Sequence, residues 1–124
     1  MTSRSLLDFL QDILEAIQSI EKFIAGLDFA EFERDEKTIY AVSKALEIIG
    51  EAVKHIPDSL RKQYPEIPWK AVAGMRDKLV HEYWGTDVTV LWKTTQKSIP
   101  ILKPVIIKMI ADLNNDNSAS SLLE

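Results

Sequence analysis

The sequence predicts an all-α fold, an antiparallel four-helix bundle with short additional helices, and three observations carry that prediction. Apolar residues recur at spacings of three and four over most of the chain, no strand pattern or internal repeat appears, and four long periodic stretches are joined by short loops. A chain of 124 residues, 46% hydrophobic and 27% charged, suits one core and hardly two. Residues 1–113 are therefore expected to form a single helical domain, and the polar stretch "NNDNSASSLLE", residues 114–124, a flexible tail.

In the first stretch, "SRSLLDFLQDILEAIQSIEKFIAG", Leu6, Leu10, Ile13, Leu14, Ile17, Ile20 and Ile24 mark one helix face. Ser3 or Ser5 suits its start and Gly26 its end. Asp28 opens a short charged segment, "DFAEFERDE", whose acidic residues read as a solvated face and not as a metal site. The second helix, "KTIYAVSKALEIIGEAVKHI", buries Ile39, Val42, Ala45, Leu46, Ile49, Ala52, Val53 and Ile56. Gly50 and Glu51 within it are expected to serve structure. Pro57, Pro65 and Pro68 bound a connector with at most a short helical piece, because proline blocks helix continuation and restrains the residue before it. A third helix follows from Pro68 or Trp69 to about Trp84, with Gly85 just past its end. Asp87 can cap a fourth, with a stripe of Val88, Leu91, Trp92, Thr95, Ile99, Leu102, Ile106, Met109 and Leu113 that Pro100 and Pro104 should bend or interrupt.

Composition narrows the function. A net charge of -4 is a poor footprint for holding long nucleic acid, so any nucleic-acid role must be local. The absence of cysteine excludes thiolate metal sites and disulfides, and the two histidines lack a ligand spacing with carboxylates, so no metal and no cofactor is expected. Asp8, Asp12 and Glu15 interrupt the apolar start, which reads as neither a signal-peptide core nor a membrane span. The expected location is the cytoplasm.

The chemistry-bearing cluster is "MRDKLVHEYWGTD" at the end of the third helix. Arg76 and Tyr83 fall within about 20° of each other on a helix, whereas His81 lies roughly 140° from Arg76, so a facing second copy could complete a shared cleft. The negative end of the helix dipole favours a protonatable imidazole at His81. Taken singly, such a histidine is ordinarily a surface or satisfied-core residue, His55 reads as a helix-terminal residue, and Trp84 and Trp92 read as core or interface anchors.

"RDKLVHEY" resembles the Arg-x4-His-x-Tyr motif of the HEPN superfamily, and "IIGEAVKHIP", "YPEIPWKAVAGMRDKLVHEYWGTD" and "LWKTTQKSIPILKP" resemble, in order, the flanking segments of its HepT branch. The resemblance covers nearly the whole chain. It implies a HEPN-like fold and a homodimeric, metal-independent endoribonuclease, the toxin of a type VII toxin–antitoxin pair. Arg76 would hold the RNA phosphate, and His81 would act as general base, general acid, or each in turn. Asp77, where many relatives carry asparagine, could orient the site while adding negative charge beside the phosphate. Lys78, with Lys70 and Arg76, would supply local positive potential suited to a short RNA end such as a tRNA tail. Tyr83 would receive AMP from an MntA-type nucleotidyltransferase antitoxin, placing bulk and charge where RNA enters. Two other readings stay open: a nucleotide-binding or scaffolding subunit of a nucleotidyltransferase complex, and a structural helical dimer whose polar cluster is an interface network.

Overall fold

The computed structural model describes the backbone of residues 4–81 and 87–123 and the side chains of residues 4–75 and 87–116. Among the described residues there is no strand, and the elements are α1 (Leu6–Ile24), α2 (Phe29–Arg34), α3 (Glu36–Val53), α4 (Asp58–Arg61), α5 (Trp69–His81), α6 (Val88–Lys93), a π-helical turn (Thr94–Ser98) and α7 (Ile99–Leu123). Over the described residues the fold is all-α, as the periodicity predicts.

Each early helix starts on a side chain that takes up orphan backbone donors. Ser5, not Ser3, caps α1 in a reciprocal box: the Asp8 amide donates to the Ser5 hydroxyl at 3.2 Å and the Ser5 amide to the Asp8 carboxylate at 2.9 Å. Asp28 and Glu31 repeat the box at α2, and Asp35 caps α3 by accepting from the amide and the hydroxyl of Thr38. The acidic residues of this charged stretch are thus helix starters as well as solvated groups. Gly26 follows α1 at φ 77°, in the left-handed region that other residues resist.

The core is continuous through the bundle. α3 packs against both α1 and α5, and α1 also packs against α7. Leu10, Ile13, Ile17 and Ile20 of α1 and Val42, Leu46, Ile49 and Val53 of α3 are sealed from solvent. Each such side chain stabilises the fold by about 1.5–3 kcal/mol before chain entropy is counted. Phe9, early in α1, stacks on His55, just past α3, with ring centroids 4.1 Å apart. Lys103, early in α7, pairs with Glu21, late in α1, at 2.9 Å. Both contacts require antiparallel neighbours. His55 is therefore helix-terminal, as expected, but it has a packing partner that spacing did not reveal. Trp92 is an anchor between α6 and α2, its ring 5.1 Å from that of the buried Phe32.

The fourth stretch departs from a plain helix. Leu91, Thr95 and Ile99 are all buried at two successive spacings of four, which on an ideal helix drift by about 40° each. The π-helical turn absorbs that drift, and the Ile99 amide donates to the Thr94 carbonyl five residues back. Pro100 lies just beyond this turn and α7 continues through Pro104, so the interruption precedes both prolines. Helical backbone also runs on to Leu123, past the expected end at Leu113. No glycine or proline follows Pro104, so nothing stops the helix. What ends at Leu113 is the apolar stripe.

Candidate active site on helix α5

The motif helix is set by the connector that precedes it. α4 is short, but Arg61 at its end reaches back to the end of α3, donating through Nε to the Ile56 carbonyl at 2.9 Å and through Nη2 to the Val53 carbonyl at 2.7 Å. Trp69, the first residue of α5, donates its indole N–H to the carbonyls of Arg61 and Tyr64, both at 3.0 Å. Pro68 stands one position outside the helix and supplies its first acceptor, to the Val72 amide at 3.0 Å. The start of α5 is thereby fixed in rotation as well as in place.

Trp69 and Val72 are buried, Ala73 and Met75 are half-buried, and Lys70, Ala71 and Gly74 face solvent. A side chain at Gly74 would meet nothing within 4 Å. Position 76 lies seven residues beyond Trp69 and position 81 seven beyond Gly74, each pair within about 20° in helical register.

Arg76, Asp77, Lys78 and His81 thus share one helix, with backbone positions 76 and 81 in different registers around it. Their side chains, and Tyr83, Trp84 and Gly85 entirely, lie outside the described residues. Glu51 is not inside the bundle: it is exposed and pairs with Lys54 at 3.7 Å, while Gly50 is buried on α3. Among the described residues no group of three or more histidine or acidic side chains could hold a metal ion. No described helix is long and apolar enough to cross a membrane.

Among the described residues, the charged groups with perturbed protonation lie at helix caps and surface pairs. Hydrogen bonds from the backbone and then the hydroxyl of Ser5 hold the Asp8 carboxyl low, and those from the Thr38 hydroxyl and amide do the same for Asp35. The Lys108 ammonium lowers Asp112, which also accepts from the Tyr64 hydroxyl at 3.3 Å.

Sequence reasoning missed Arg61 and Lys62. "DSLRKQYP" reads as a connector, and only the turn back under α3 shows that its two cations sit beside the start of the motif helix.

A family profile described as "Ribonuclease HepT-like" matches residues 13–109. A protein of Thermococcus cleftensis named "Probable ribonuclease HepT" is 55% identical over 100 residues, covering 81% of this chain and 91% of its own. Two proteins of Methanocaldococcus jannaschii, named "Putative RNase MJ1216" and "Putative RNase MJ0125", are 42% and 45% identical over 120 and 113 residues. They are covered over 99% and 97% of their lengths, against 97% and 91% of this chain. No solved structure matches the chain.

Proposed function

Because the chain belongs to the HepT-like ribonuclease family, we propose that it is a metal-independent endoribonuclease, the toxin of a type VII toxin–antitoxin pair. The observation that carries this reading is that Arg76 and His81 lie inside the matched span and on one helix whose start is pinned by Trp69.

In the proposed reaction an RNA 2′-hydroxyl loses its proton to a base and attacks the adjacent phosphorus. The bond to the 5′-oxygen breaks, and that oxygen takes up a proton, leaving a 2′,3′-cyclic phosphate and a 5′-hydroxyl. His81 moves these protons, as base, acid or both in turn, and Arg76 neutralises the charge that builds on the phosphate through its forked donors. Asp77 and Lys78 support the site by orientation and local charge. Two copies of the chain contribute one motif each to a shared cleft. The difference in register between positions 76 and 81 favours this arrangement.

Control is assigned to Tyr83. Its phenolic oxygen attacks the α-phosphorus of ATP on an MntA-type nucleotidyltransferase, pyrophosphate leaves, and the AMP that remains adds bulk and negative charge at the RNA entrance. ATP and RNA are both abundant in the cytoplasm, the proposed site of action. The substrate is RNA with a short accessible end, for which a tRNA tail is the first candidate.

The test is induction of the wild-type chain without a partner, beside Arg76→Ala and His81→Ala variants shown to be folded. Growth arrest and RNA cleavage by the wild type alone are expected. Clean, unmodified protein that leaves RNA intact but retains ATP would move the assignment to a nucleotide-binding subunit. After co-expression with the nucleotidyltransferase, mass spectrometry should find AMP on Tyr83 and none on a Tyr83→Phe chain.

A further inference from the structure

In one hollow among the described residues, cations outnumber carboxylates and are not tightly paired. It lies at the start of α5, has a volume of about 360 Å³, and is lined by Asp58, Arg61, Lys62, Pro65, Trp69 and Lys70. Three basic side chains elsewhere are matched closely: Arg4 with Asp12 at 2.8 Å, Lys103 with Glu21 and Lys108 with Asp112, both at 2.9 Å. In the hollow, three cations face one carboxylate.

The three cations are not equivalent. Two of Arg61's nitrogens are committed to backbone carbonyls, so its guanidinium forms a rigid wall. Lys62 reaches Asp58 only at 3.8 Å, and the two side chains are 78% and 82% exposed. A pair this open contributes little and exchanges readily for another anion. Lys70 is exposed and makes no ion pair with a described residue. A chain with a net charge of -4 thus keeps two exchangeable ammonium groups beside the first turn of its motif helix.

Register connects this hollow to the motif. Lys70 and His81 are eleven residues apart, which places the two positions within about 20° around the helix and about 16 Å apart along it. Gly74 lies between them on the same side, and its missing side chain leaves the surface there low and open. An extended polyanion laid along this side would meet position 81 of the motif at one end and the two lysines at the other.

Resting on the ribonuclease reading above, we propose that Lys62 and Lys70 form a second phosphate-gripping subsite, which holds the RNA backbone a few nucleotides from the bond that is cut. The subsite selects single-stranded RNA long enough to span α5 over shorter fragments. Lys62 and Lys70 are positioning residues. Arg61 keeps the hollow's shape.

The experiment measures affinity for a labelled single-stranded RNA as salt is raised, using the full-length chain in a His81→Ala background so that the probe survives. It compares the native lysines with Lys62→Gln, Lys70→Gln and the double variant, with circular dichroism to confirm the fold. Each lost phosphate contact on a single strand lowers the slope of log affinity against log salt by about 0.7, so the double variant should lose about 1.4. Between about 50 and 200 mM salt, the chain with both lysines should then lose roughly sevenfold more affinity than the double variant. In the catalytically intact chain, the double variant should also raise KM for this RNA and erode its advantage in kcat/KM over a dinucleotide. If the chain binds and cuts RNA but the slope is the same in all variants, the subsite is overturned and the ribonuclease reading stands. If the chain neither binds nor cuts RNA, the ribonuclease reading falls and the subsite with it.

Discussion

Replacing Arg61 with methionine isolates the contact that ties the connector to the end of α3. Methionine preserves most of the aliphatic stem, so the loss is that of the guanidinium. Two charge-assisted hydrogen bonds disappear, at 2.9 Å to the Ile56 carbonyl and at 2.7 Å to the Val53 carbonyl. They do not count equally. The Val53 carbonyl also accepts from the Ile56 amide at 3.0 Å and keeps that partner, whereas no second donor to the Ile56 carbonyl is found among the described residues. Hydrogen bonds to charged groups contribute about 1.5–3 kcal/mol each, and a stranded buried carbonyl costs about 1–3 kcal/mol. Arg61 is half-buried, so solvent screens part of this, and a net loss of about 2–4 kcal/mol is expected. The assay is urea unfolding followed by circular dichroism, in which the midpoint should fall while the slope stays constant. Heating should show a drop of roughly 8–15 °C for a chain of this size. Arg61→Lys, which keeps the charge but has no fork, should fall in between. A change below about 0.5 kcal/mol in Arg61→Met would refute the view that this side chain pins the connector.

Three further outcomes follow from other contacts. Ser5→Ala removes the hydroxyl half of the first capping box and should cost about 1 kcal/mol, read as a lower unfolding midpoint. Asp8, Asp35 and Asp112 have lowered folded-state pKa values, so what they contribute is present above the ordinary carboxylate range and lost as pH falls through the folded value. Stability should therefore decline below about pH 4, less steeply in Asp35→Asn, as measured by unfolding midpoints along a pH series. Gly74→Ala places a methyl group in open space on a helix interior and should stabilise the isolated chain by about 1 kcal/mol; a destabilised variant would show that α5 is less regular there than described.

The main helices were legible because each is written in a three-four spacing and opened by a short polar cap. Ser5, Asp28, Asp35 and Asp87 all sit where the apolar pattern begins. The connector was not legible, since its stability comes from Arg61 and Trp69 reaching backbone carbonyls, contacts that leave no periodic trace in sequence. The end of α7 was misjudged because periodicity reports which side of a helix is covered and is silent where, as at Asn114, Asn115 and Asp116, the side chains are exposed. Of the candidate site, the order and the shared helix of Arg76 and His81 could be read from spacing. The hollow beside Lys70 could not, because Lys62 approaches it only after the chain has turned twice.

The π-helical turn has a consequence for how this chain can change in length. A residue lost from the middle of α3 would rotate everything beyond it by about 100° and turn buried positions to solvent. Between Thr94 and Ser98 the chain already carries slack, since this turn is closed by a bond five residues back instead of four. A one-residue deletion there can be taken up by tightening into an ordinary helical turn, leaving Leu91 on one side and Ile99 on the other still facing the core. The turn is thus the point in the bundle where descent can shorten the chain without scrambling its interior.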